Sequence, residues 1–289
     1  MANFRALFIG LTTIDIQYFA DEFPLPNTKL KLAPPDIMVG GPAANAAVAF
    51  AKLNGHATLV SAVGKNQFTQ FISDDFQTTN VKLVDLVPEK TSAPVLATVV
   101  TSGVNGHRNI FTHAPQTIVP EISAQQLIEM VSPQIILFDG FFPEFGIECA
   151  QIAKKKEIPV VLDCGSWKPQ HDKLADFADF VICSEDFYPQ NAVYSQQVFT
   201  YFKRKNVPFC AISRGEKPLL FYANKHFGEI EINQHQITDT LGAGDILHGA
   251  FCYFLLQGNT FQKALEKASE MATFSCRFKG TREWLNFVQ

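Results

Sequence analysis

Four residues raise the first chemical question. Gly242, Ala243, Gly244 and Asp245 stand directly in front of an apolar run in the stretch "TDTLGAGDILHGAFCYFLLQG", Thr238 to Gly258. Within that run Leu247, Ala250, Phe251, Phe254 and Leu255 recur at the spacing of one helical face, which predicts a buried helix beginning at about Gly242 to Asp245. The first backbone N–H groups of a helix have no internal partners and carry the positive end of its dipole, so they bind anions, and glycines let an anion come close. Asp245 is the anomaly, a carboxylate placed where a phosphate is expected. Taken alone, "DTLGAGD" reads equally well as a reactive site and as an N-cap aspartate in a glycine-rich turn. Other acids fall at predicted strand ends: Asp15 after "ALFIGL", Asp139 closing "IILFD" and Asp163 closing "VVLD". In open α/β sheets ligands bind at such ends.

The elements that must hold these residues are legible. Short apolar runs ("ALFIGL", "ATLVSAV", "QIILFDG", "PVVLDC", "DFVICS", "PFCAIS") alternate with helical patterns such as "PAANAAVAFAKLNG" and "PEFGIECAQIAKKKEIP". That alternation predicts an α/β fold of three layers, a mostly parallel sheet with helices on both faces. Two stretches break the rhythm. Residues 16 to 39 are proline-rich with alternating pieces such as "TKLKLA", and residues 94 to 113 read as two strands around the Asn105-Gly106 turn. Together they are expected to form a small β lid or a dimerisation sheet on a single domain spanning residues 1–289, since neither a repeat nor a low-complexity linker divides the chain.

Composition excludes several classes. The 289 residues carry 24 Lys and Arg against 28 Asp and Glu, a net charge of −4, so nucleic acid is not the expected partner. No run approaches the length of a membrane span, and "ALFIGL" is too short for a signal peptide. The six cysteines form no C-x-x-C pair and are read as reduced core residues of a cytoplasmic protein. There is no G-x-x-x-x-G-K-[ST], because Asn66 follows Gly64-Lys65, no G-x-G-x-x-G, because Leu247 takes the last position, and no H-x-x-x-H.

With these exclusions, "DTLGAGD" together with "VGGPAANAAVAFAKLNG", Val39 to Gly55, resembles the two signature regions of the ribokinase-type (PfkB) carbohydrate kinases. "ALFIGLTTIDI" resembles that family's first strand with its substrate-contacting aspartate, here Asp15, and "CAISRGEKPLLFY" the strand and turn beside the nucleotide phosphates. The resemblance implies a ribokinase-like fold and transfer of a phosphoryl group from ATP, with Mg2+ as cofactor and a monovalent cation such as K+ as an optional one. It implies that Asp245 takes the proton of the acceptor hydroxyl, that the amides of Gly242 to Asp245 hold the transferring group, and that Asp15, Gly40, Gly41, Asn45, Arg108 and Asp139 face the substrate. Ser213, Gly215, Thr240, Gly242 and Gly244 fall on the nucleotide side, and Asp186 on the metal. The chemistry is coherent, because phosphoryl transfer asks mainly for positioning and charge stabilisation. The helix N-terminus is expected to keep Asp245 ionised at neutral pH.

The chain departs from the pattern in two places. "CSED", Cys183 to Asp186, stands where the family has N-x-x-E, and Lys65, Asn66 and Thr69 replace an acidic pair and a glycine. "CSED" with "DTLGAGD" looks more like the ketohexokinase-like branch, so the expected acceptor is a small sugar, with a ketose or furanose preferred and a primary hydroxyl as the target. The alternatives are a nucleoside, a sugar phosphate met by Lys29, Lys31, Arg108 and Lys168, or a catalytically silent sugar-binding protein. A homodimer through the lid is expected, because an exposed sheet leaves edges that a second subunit can cover.

Overall fold

The computed structural model describes residues 4–21, 23, 25–102, 108–189, 192–233 and 236–288. The fold follows from strands that are apolar on both faces. In β1 (Arg5–Ile9), Ala6 and Phe8 point to one core while Leu7 and Ile9 point to the other, and all four are buried. Helices α1 (Pro42–Lys52), α2 (Thr69–Thr78), α7 (Ala243–Leu256) and α8 (Phe261–Ser275) cover the first core. Helices α3 (Ala124–Val131), α4 (Pro143–Lys155), α5 (His171–Leu174) and α6 (Ser195–Arg204) cover the second. This is the three-layer α/β architecture the alternation predicts.

Around β1 the sheet contains β4 (His56–Ser61), β5 (Val81–Asp85), β8 (Ile135–Phe138), β9 (Val160–Cys164), β10 (Phe180–Ser184), β11 (Phe209–Arg214), β12 (Lys217–Ala223) and β13 (His226–Ile230). Its order is β13-β12-β11-β10-β9-β8-β1-β4-β5, parallel except for β12 and β13. Succession runs one way from β1 through β4 and the other way from β8, so the order reverses between β1 and β8. Their carboxyl ends flank the crevice where such sheets bind ligands.

A second sheet, in the order β3-β2-β6-β7, is built from β2 (Thr13–Ala20), β3 (Asp36–Gly40), β6 (Val95–Ser102) and β7 (Arg108–Thr112). It differs from the expected lid in two respects. Residues 28–33, "TKLKLA", lie outside any strand, and β2 begins at Thr13. The Asn105-Gly106 turn lies outside the described residues. Alternation sets the lid's two faces: Asp15, Ala97 and Thr112 pair across one row of the face toward the main sheet, while Ile37, Ile16, Thr98 and Phe111 pair across a row of the opposite face. All six cysteines are free and buried, and among the described residues no helix is long and apolar enough to cross a membrane.

Candidate active site

One cavity of about 860 Å³ runs between the carboxyl ends of the main strands and the inner face of the lid. At one end it is walled by Thr13, Asp15, Gly41 and Asn45, with Leu11, Ala97, Val99, Ile110 and Phe141 beside them. At the other it is walled by Ser184 to Asp186 and Ser213 to Glu216, and Thr240 to Asp245 lie along it.

The carboxylate at its centre is placed by a close crossing of helices. A Cβ on Gly249 would lie 2.0 Å from the Ala46 carbonyl oxygen, so only glycine lets α7 approach α1 this closely. The crossing brings Asn45 of α1 to Asp245 of α7, and the Asn45 amide donates to Asp245 Oδ2 at 2.8 Å. Ahead of the helix, Gly242 is the N-cap with φ 73°, and a Cβ there would meet Thr281 Cγ2 at 2.7 Å. Gly244 is different: its φ lies outside the left-handed region, and a Cβ would meet nothing within 4 Å. Gly242 therefore serves the turn, while Gly244 keeps space clear in the cavity. The Ala243 N–H is turned back onto the Thr240 carbonyl, 3.3 Å away. Among the described residues the N–H groups of Gly242, Gly244 and Asp245 find no acceptor, so three donors rather than four are available to an anion.

Electrostatics corrects one expectation. Burial, reinforced by the Asp163 carboxylate, pushes Asp245 up to about 7. The Asn45 hydrogen bond, His248 and Arg108 pull the other way and are outweighed. Burial thus wins over the helix dipole, whose contribution is about 0.3–1 kcal/mol at exposed positions. The sign follows for stability. A carboxyl whose folded-state pKa is raised favours the fold below its unfolded value near 4, and that contribution is lost as pH rises through about 7. The melting temperature of ligand-free Asp245→Asn is therefore expected to exceed that of wild type by a margin that widens from pH 5 to pH 8. A gap that does not widen with pH contradicts the raised pKa.

Several expected residues have other partners. Asp15 lies within β2, not at the end of β1; it accepts from Thr13 Oγ1 at 2.6 Å, and its pKa is raised by burial against the pull of that hydrogen bond and of Arg282. Gly40 is absent from the cavity wall, and its missing Cβ makes room for the Asp15 carboxylate, whose Oδ2 would be 2.0 Å away. Asp139 does not line the cavity either. It is buried and accepts the N–H groups of Leu11, Ala43 and Phe141, tying the ends of β1 and β8 to the start of α1. Burial still pushes it up to about 6. Lys168 stands outside the wall, over the Phe141 ring at 4.4 Å and 3.4 Å from the Asp139 carbonyl. Arg108 of the lid donates to Thr240 Oγ1, joining lid to turn.

At the end expected to meet a nucleotide, the Cys183 side chain packs in the second core, while Ser184, Glu185 and Asp186 line the cavity. Ser213 Oγ donates to the Cys183 carbonyl at 3.2 Å. Among the described residues no three His, Cys, Asp or Glu side chains form a metal cage.

Three residues in or behind the site carry no signal in the local sequence. Gln17, fully buried in β2, donates to Asp239 Oδ2 at 2.8 Å, and that carboxylate also accepts from the Leu241 and Gly280 N–H groups. His248 sets its two ring nitrogens against the Gly244 and Ile182 carbonyls, with Asp163 Oδ1 3.6 Å from Nε2. Arg282 reaches Asn45 across 237 positions, a contact no local spacing announces.

The pfkB family carbohydrate kinase model matches residues 4–286. A ribokinase of Lactococcus lactis is 23% identical over 237 residues, covering 79% of this chain and 76% of its own. A nucleoside kinase of Methanocaldococcus jannaschii is 23% identical over 279 residues, covering 94% of this chain and 90% of its own. The structure of Arabidopsis thaliana ribokinase complexed with ribose and ATP superposes with a TM-score of 0.78 at 21% identity, covering 99% of this chain and 100% of the other.

Proposed function

The chain belongs to the pfkB family of carbohydrate kinases, and from that premise we propose that it transfers the γ-phosphoryl group of ATP to a hydroxyl, a primary one in preference, of a small sugar such as a ketose or furanose. The observation that carries this reading is the juxtaposition of the Asp245 carboxyl with the unpaired N–H groups of Gly242, Gly244 and Asp245, midway along a cavity with hydroxyl-binding side chains at one end. In this reading Asp15 and Asn45 hold the sugar, Asp245 takes the proton of the attacking hydroxyl, and the three amides receive the transferring group. Ser213 and Gly215 border the ATP phosphates, with Arg108 and Thr240 closing the turn from the lid side. The lid's inner face excludes water, which would otherwise hydrolyse ATP.

Magnesium is part of the proposal, and the residues fit it. Asp186 offers hard carboxylate oxygens on the cavity wall, while the neighbouring Glu185 is shared with Lys217 at 3.0 Å. Magnesium keeps most of its waters and needs only one or two carboxylates besides phosphate oxygens, so Asp186 would hold it through water. Bound there, it would neutralise charge on the phosphates.

A nucleoside acceptor is the second reading. It is favoured by the apolar flank of Leu11, Val99, Ile110 and Phe141 beside the sugar end. A sugar phosphate is less well served, because Lys168 stands outside the wall. A thermal-shift screen of sugars, nucleosides and sugar phosphates, with a non-hydrolysable ATP analogue and with K+ present or absent, tests the acceptor class. A native-state ligand raises the melting temperature. Stabilisation by sugars alone supports the first reading, by nucleosides the second, and by sugar phosphates neither.

The protein is also proposed to be a cytoplasmic homodimer paired through the lid. Ile37 and Phe111, 55% and 67% exposed, close the ends of the outward row. Sedimentation at micromolar concentration is expected to show a dimer that Phe111→Asp dissociates. A wild-type monomer removes this part of the proposal.

A further inference from the structure

We infer that Arg282 is a positioning residue for phosphoryl transfer, holding the Asn45 amide in the one orientation that donates to Asp245. The inference rests on Asp245 being the group that accepts the acceptor's proton. Its basis is the geometry of a planar cation whose donors are all directed. Arg282 sets Nε at 3.1 and 3.2 Å and Nη2 at 3.1 Å from the carboxylate oxygens of Asp75 on α2. That leaves Nη1, which donates to Asn45 Oδ1 at 2.8 Å, with Thr281 Oγ1 and the Thr281 carbonyl at 3.0 and 3.2 Å. Both members of the Arg282–Asp75 pair have side chains only 17% exposed, so the fork is held in a partly desolvated place.

A guanidinium has donors and no acceptor. The Asn45 oxygen must therefore face Arg282, and its NH2 group must face Asp245 Oδ2. The reversed amide would set NH2 against the guanidinium and a carbonyl oxygen against the carboxylate, two repulsive contacts in place of two hydrogen bonds. With Oδ2 engaged, Asp245 presents Oδ1 to the acceptor hydroxyl. Arg282 is itself seated by the segment that follows it, where fully buried Trp284 donates to the Thr281 carbonyl at 3.0 Å. The end of the described chain is thus fastened to the centre of the cavity through one amide.

The charged groups bearing on Asp245 are Asp163 of β9, His248 of α7 and Arg108 of β7, with the Asn45 hydrogen bond among the influences that lower its pKa. Removing Arg282 frees the amide to turn and weakens that bond. Arg282→Met is therefore expected to lower kcat about tenfold with the KM for ATP unchanged, and to move the acid limb of kcat/KM to higher pH. Arg282→Lys, which keeps a donor and a charge, recovers most of both. Asp75→Asn, which loosens the fork but keeps the guanidinium and its donor to Asn45, lowers the melting temperature and moves the limb in the same direction by less than Arg282→Met does. On an Asn45→Ala background, adding Arg282→Met changes kcat by less than about twofold, because the residue acts through that amide. The inference is overturned by an unmoved limb and wild-type kcat per folded molecule in Arg282→Met, by an equal shift in Asp75→Asn, or by an undiminished loss on the Asn45→Ala background. Asp245→Asn separates the two claims: if that variant keeps wild-type turnover, the role of Asp245 fails whatever Arg282 does.

Discussion

Asp245→Asn lowers turnover by about 10² to 10⁴ while the acceptor and ATP still bind, the usual contribution of a positioned acid or base. The substitution keeps the side chain's size, so the crossing of α1 on α7 at Gly249 is undisturbed. It removes the carboxylate oxygens that lie beside the three free amides. Because burial and Asp163 raise Asp245 to about 7, kcat/KM of the wild type should climb roughly tenfold per pH unit below that value and level above it. The same burial makes the variant the more stable protein at pH 8, so lost activity and gained melting temperature should appear together. That combination is characteristic of a group kept for function at a cost in stability. Near wild-type turnover removes Asp245 from the chemistry.

The second large effect concerns the turn before it. Gly244→Val places its side chain in space that is open within the cavity, and helix-interior propensity favours valine over glycine, so the fold should tolerate it. Turnover should nevertheless fall about 10² to 10³, the loss expected when a transition-state donor no longer reaches its charge. Gly242→Ala is the matched opposite. Its left-handed backbone and the approach of Thr281 Cγ2 to 2.7 Å predict a loss of about 1–2 kcal/mol of stability. If Gly244→Val keeps full activity per folded molecule, that glycine has no part in holding a phosphoryl group.

Much of the fold is legible because its signals are local. Strands with two buried faces, Pro42 opening α1 and the apolar stripe of α7 each announce themselves within ten or so residues, and their alternation implies the layers. The lid was legible as strands but not in its bounds, since "TKLKLA" alternates without a sheet to join, and Thr13 and Asp15 enter β2 directly after β1. At the site, sequence marks which side chains are capable of chemistry and is silent on what surrounds them. Asp139 stands at a strand end like a ligand-binding residue, yet three backbone donors claim its oxygens. Asp245 follows a helix N-terminus, yet burial beside Asp163 decides its charge. Arg282 and Gln17 act across 237 and 222 positions, which no local pattern encodes.

The central claim is tested most directly by following ADP release and acceptor phosphorylation together, with ATP and Mg2+, for each compound that raises the melting temperature. The account predicts at least one hydroxyl-bearing acceptor for which ADP and phosphorylated product appear one for one, and for which Asp245→Asn abolishes both while the thermal shift persists. Strong stabilisation by such compounds, with neither ADP nor phosphorylated product formed by the wild type from any of them, would contradict it.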